Sequence, residues 1–113
     1  MTDTVICGNL FRDIPDKLPE ELFGNLLSTE TFRIERIVSR GHASPEGFWY
    51  DQEDGEWVLL LNGSAALCFD DRPEPLVLGP GDYVQINPHV RHRIEWTAEG
   101  QDTVWLAIHY RPA

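Results

Sequence analysis

The chain has 113 residues, 42% of them hydrophobic and 25% charged, with a formal net charge of −10. That length suits one domain with a real core and is too short for two. Nineteen acidic residues against nine basic ones repel phosphate backbones and anionic lipid, so neither a nucleic acid nor a membrane is expected as partner.

The start, MTDTVICGNLFRDIPDK, lacks a basic stretch followed by an apolar run, and no later run is long enough to cross a bilayer; a cytoplasmic location is the expectation. Cys7 and Cys68 lie far apart outside any paired-cysteine motif and read as two buried or half-buried thiols. Within residues 1–31, PDKLPEELFGNLLSTE admits two readings. A short helix can begin at Pro19, with Glu20 and Glu21 complementing its dipole, or Gly24 can sit in an extended segment laid over the domain.

From residue 32 the periodicity is that of strands. FRIERIVS alternates apolar Phe32 and Ile34 with polar partners and turns at RGHASPEG. In EWVLLLNGSAALCF, Asn62-Gly63 separates two apolar runs and predicts a tight hairpin. DDRPEP ends the returning strand, LVL forms a short one, and Pro80-Gly81 turns the chain again. YVQI and RHRIEW meet at the Asn87-Pro88 corner, and TVWLAIHY follows the polar loop TAEGQD. Short strands separated by Gly, Pro and Asx turns predict an all-β sandwich or small barrel. WVLLL and TVWLAI are apolar at consecutive positions, which calls for cover on both faces, from a homodimer or from the N-terminal segment.

Strand alternation selects candidate site residues. In RHRIEW it sets His92, Ile94 and Trp96 on one face and Arg91, Arg93 and Glu95 on the other. Glu56 shares a face with Val58 and Leu60, and a carboxylate there needs a metal, an imidazolium such as His92, or Tyr50 as partner. If FWYDQ is extended, Tyr50 and Gln52 share one face and Trp49 and Asp51 the other. His89 sits on the corner, one residue off the alternation of His92. His42 lies in a loop that either folds back over the opening or stays exposed, and His109 reads as structural or surface. Phe48, Trp49, Tyr50 and Trp96 suit a pocket wall or core packing.

Taken together, LGPGDYVQINPHVRH and EWVLLLNG resemble the cupin superfamily over roughly residues 32–110. The resemblance implies an all-β, double-stranded β-helix (cupin or jelly-roll) barrel over 32–113, with residues 1–31 as a short irregular or helical segment packed on it. In such proteins a first motif supplies two histidines and a glutamate to a divalent metal, and a second motif supplies one histidine. Glu56 and His92 match. Tyr50 and Gln52, or Trp49 and Asp51, stand where the paired histidines belong. His89 occupies the place of a glycine and Trp96 that of an asparagine.

On this resemblance a substituted donor set of Gln52, Glu56, His89 and His92 mixes nitrogen and oxygen ligands and suits iron, manganese, nickel or zinc. Glu56 and Tyr50 would then exchange protons with a small polar ligand, and His42, Trp49, Asp51 and Trp96 would touch it. A metal-dependent isomerase or dioxygenase is one expectation. A metal-free small-molecule binding or sensor module is the alternative, and a metal-free acid–base enzyme using His92 and Glu56 is a third.

Overall fold

The computed structural model describes residues 4–113. It is all-β: eight strands, β1 (Leu22–Ser28), β2 (Phe32–Ser39), β3 (Gly55–Asn62), β4 (Ala65–Phe69), β5 (Leu76–Leu78), β6 (Tyr83–Ile86), β7 (His92–Thr97) and β8 (Thr103–Tyr110), with no helix among the described residues. They form two antiparallel sheets, one of five strands in the order β1-β2-β8-β3-β6 and one of three in the order β5-β4-β7. Val58, Leu60 and Trp105 from the first pack against Ala65, Leu67 and Phe69 from the second to make the core. Removing such side chains from water is the main stabilising term of a two-sheet fold.

Of the two readings of the N-terminal segment, the helix from Pro19 does not form. Leu22–Ser28 pairs with β2 as an edge strand, with a bulge between Asn25 and Leu27. Pairing satisfies its backbone groups with β2, which an isolated turn of helix would leave to water. Residues 10–16 lie alongside: Arg36 donates to the carbonyls of Leu10 and Arg12, and Arg40 to those of Pro15 and Asp16.

The turn at Asn62-Gly63 is also not a hairpin. β3 and β4 belong to different sheets, so the chain crosses between layers there. Gly63 has φ +92, and a Cβ on it would stand 2.4 Å from Thr103 Oγ1 and 2.7 Å from Thr103 Cα. Both the left-handed backbone and the close approach require glycine, and neither needs β3 to pair with β4. β4 instead forms a hairpin with β5 through DDRPEP.

Candidate functional site

The two sheets enclose a cavity of about 250 Å³. Cross-strand register orders its main wall in rows. Arg33, His109 and Glu56 are directly opposed across β2, β8 and β3 at one end. Glu35, Ala107 and Val58 form the next row, and Phe23, Ile37, Trp105 and Leu60 an apolar row beyond it. Directly opposed residues share a face, so Arg33, Glu35 and Ile37 all line the cavity from one strand.

His92 reaches in from β7 on the opposite sheet and brings its Nε2 to 3.6 Å from Glu56 Oε1, with the two side chains 8% and 13% exposed. Its Nδ1 lies 2.8 Å from the carbonyl of Val90. A carbonyl only accepts, so Nδ1 carries a hydrogen and Nε2 is turned to the cavity. Tyr50 holds the imidazole from the side: the two residues exchange backbone hydrogen bonds of 2.7 and 3.1 Å, and their rings stack at 5.4 Å. Burial opposes a charge on His92, but the contact with Glu56, the Val90 carbonyl and the negative charge of Glu56 outweigh it and raise its pKa. Burial, then the charges of Glu21, Glu56 and Glu35, raise that of Tyr50, which keeps its phenolic hydrogen.

A second pair stands beside the first. His109 Nε2 is 2.8 Å from Glu35 Oε1 and 4.0 Å from Glu56 Oε2, and the histidine is buried. Glu21, at the other end, accepts a short hydrogen bond from Ser39 Oγ, which accepts in turn from Trp105 Nε1 at 3.3 Å.

Of the residues singled out from sequence, Tyr50, Gln52, Glu56 and His92 line this cavity. The others do not. His89 is turned outward: its side chain is 64% exposed and Nδ1 is 2.8 Å from Asp51 Oδ1, which occupies Asp51 as well. Its φ is +64, so at the glycine's place in the motif it takes the left-handed backbone that glycine favours. Trp96 is 41% exposed, because a bulge between Ile94 and Trp96, where these pair with Leu67 and Ala66, breaks the alternation that would have carried it inward. Trp49 stacks under the Arg91 guanidinium at 5.4 Å outside the cavity. His42 is tied into its own loop, Nδ1 accepting from the Arg40 amide and its carbonyl accepting from Thr97 Oγ1.

Glu35, Arg33 and Glu21 are cavity residues that sequence reasoning passed over, and His109, read as structural or surface, is buried on the same lining. The signal was the polar half of FRIERIVS and the lone histidine of TVWLAIHY. Hydrophobic alternation assigns polar positions to solvent, so it misassigns a strand whose inner face is polar.

Cupins commonly bind divalent metals and small-molecule ligands. The donor set here does not fit the family's four-ligand centre. Tyr50 and Gln52 replace the histidine pair, His89 points away, and His109 is bonded to Glu35. Among the described residues no group of three or more His, Cys, Asp or Glu side chains is arranged to hold a metal ion. Both Cys7 and Cys68 are free thiols; Cys68 is half-buried as expected, but Cys7 is exposed, in the irregular segment ahead of β1.

The cupin domain family matches residues 37–109. Among solved structures, the "putative mannose-6-phosphate isomerase" of Ralstonia eutropha JMP134 is 45% identical, with a TM-score of 0.93 over 96% of this chain and 100% of that one. A cupin superfamily protein of Desulfitobacterium hafniense DCB-2 is 21% identical, with a TM-score of 0.71 over 88% and 84% of the two chains. The polyketide cyclase RemF of Streptomyces resistomycificus, 20% identical with a TM-score of 0.70 over 83% and 67%, shares the fold. No protein of curated function matches. The barrel, the family match and the Ralstonia relative agree that this chain belongs to the cupin superfamily.

Proposed function

We propose that this cupin is an isomerase-type acid–base enzyme acting on a small polar molecule held inside the barrel. The observation that carries the reading is the Glu56–His92 pair, a buried carboxylate and imidazole 3.6 Å apart on opposing sheets. With its pKa raised, His92 serves as the acid and Glu56 as the base. Glu56 takes a proton from a hydroxyl-bearing carbon next to a carbonyl while His92 gives one to the carbonyl oxygen, leaving an enediol. Glu56 then delivers its proton to the former carbonyl carbon while His92 takes back the proton of the neighbouring hydroxyl, which moves the carbonyl by one carbon with no net gain or loss of atoms or electrons. Tyr50, kept protonated, donates a hydrogen bond to the first carbonyl oxygen. An isomerase also stands in the name of the Ralstonia relative.

The metal-dependent reading, with Gln52, Glu56, His89 and His92 as ligands to iron, manganese, nickel or zinc, is not carried forward, because His89 bonds Asp51 outside the cavity and two strong donors remain. A dioxygenase, which needs a redox metal, goes with it. A homodimer is supported by the outer face of the five-stranded sheet, where Phe32, Ile34, Trp57, Leu59, Leu106 and Ile108 are only partly buried. No helix is long and apolar enough to cross a membrane among the described residues, and a cytoplasmic location remains part of this proposal.

The test is proton exchange in D₂O, followed by NMR, over a panel of aldoses and ketoses with their amino and phosphorylated derivatives. Exchange at the carbon beside the carbonyl, unchanged by EDTA and reduced by about 100-fold or more in Glu56→Gln and His92→Gln, is expected. Exchange that appears only after a divalent metal is added, or none for any sugar, sinks the reading.

A further inference from the structure

We propose that the ligand of this cavity is a small organic cation, an amine or ammonium compound, rather than a phosphate ester or other anion. The inference rests on reading the cavity as a small-molecule site and adds the charge of what it takes.

Charge around the cavity does not balance. Glu21, Glu35 and Glu56 line it, and Asp54, off the lining, stands 3.9 Å from the lining residue Arg33. Against the three lining carboxylates stand one guanidinium and two imidazoles, so the lining is net negative unless both histidines are protonated, and Asp54 beside Arg33 adds a negative charge outside it. Arg33, the one permanent cation on the lining, is drawn toward Asp54 Oδ2 at 3.9 Å, with both side chains 44% exposed, where solvent screens them. An anion entering the cavity meets three carboxylates beyond a single, half-exposed guanidinium.

The rows of the sheet show where a cation would rest. Glu56 faces His92, but Glu35 and Glu21 are held by neutral or shared partners: a single imidazole for Glu35, a hydroxyl for Glu21. Glu35 lies one row from the apolar row of Phe23, Ile37 and Trp105, and Glu21 is tied to Trp105 through Ser39 on that row's other side. Aromatic rings bracketed by carboxylates in a partly dehydrated well are the surroundings that recognise ammonium groups, by Coulomb attraction and by the ring quadrupole. The pKa of Tyr50 is raised first by burial and then by the charges of Glu21, Glu56 and Glu35, all three of which face it in the cavity. At about 250 Å³ the space is that of about eight waters, which keeps the ligand small.

The experiment titrates the full chain with three probes of equal size and different charge, benzylamine, benzyl alcohol and benzoate, with mannose 6-phosphate as a fourth arm, by calorimetry at low and high salt. The expected order is benzylamine over benzyl alcohol over benzoate, with about a tenfold preference for amine over alcohol that shrinks with salt. Glu21→Gln and Glu35→Gln each reduce that preference, and Arg33→Gln, at the rim where a folding defect is least expected, increases it. Benzoate or mannose 6-phosphate binding more tightly than benzylamine overturns the proposal and leaves the small-molecule site standing. If no probe binds, the site itself falls, and the proposal with it. A preference unchanged in all three variants also overturns it.

Discussion

His92 Nε2 and Glu56 Oε1 face each other at 3.6 Å across the gap between the two sheets, and this contact joins the second motif of the barrel to the first. Because the raised pKa of His92 depends on Glu56, stability and protonation are linked. A folded-state pKa above the unfolded value stabilises most below the unfolded pKa, near 6.5, and the contribution is lost as pH rises through the folded value. The native chain is therefore expected to lose stability from pH 6 to pH 8 relative to Glu56→Gln, as read by urea unfolding at both values. Parallel curves for the two proteins would contradict the pairing.

His109 and Glu35 are predicted to matter for the fold as well as for the cavity. His109→Ala leaves the largely buried Glu35 carboxylate without its hydrogen-bond partner at 2.8 Å, an expected loss of about 3 kcal/mol. Glu35→Gln in the same background should recover part of it, because a neutral amide is cheaper to bury than an unpaired charge. A double mutant no more stable than His109→Ala would show that the pair is not coupled.

His89 is expected to be dispensable to the cavity. His89→Gly removes the cost of holding an L-residue at φ +64, so a change between neutral and about 1 kcal/mol of added stability is predicted, with probe binding unchanged. Weakened binding in this variant would restore the histidine to the site.

Gly63→Ala combines a left-handed backbone with a Cβ 2.7 Å from Thr103 Cα, a main-chain atom that cannot step aside. An expected loss of more than about 2 kcal/mol, measured by chemical unfolding, follows from the strain and the overlap together. A smaller cost would mean that the crossing between sheets can shift.

Much of the architecture was readable because strands announce themselves locally. β2, β4, β5, β6 and β8 lie where alternation and turn residues put them, since pleat and turn dihedrals are properties of a few consecutive residues. β1 was not decided by its own residues. Leu22–Ser28 is extended because β2 offers it hydrogen bonds, and nothing within the segment encodes that. The Asn62-Gly63 turn was recognised as a turn, but its neighbours in the sheets were not, because a glycine with positive φ serves a hairpin and a crossing between layers equally.

The site divides in the same way. Sequence alone pointed Glu56 and His92 at one interior, since each stands ahead of the bulge in its strand, where the alternation still holds. Trp96 escaped that logic through one extra residue in β7, and His89 through a backbone rotation at the corner. Only the tertiary structure brought Glu35 and His109 together, residues 74 apart in the chain, by laying β8 beside β2. Sequence by itself determined the strand pattern, the acidic balance and one inward-facing pair, all of which depend on local periodicity or on composition. Tertiary structure decided which polar strand face turns inward and therefore which charges meet, because strand pairing and layer crossing are set by contacts between distant segments.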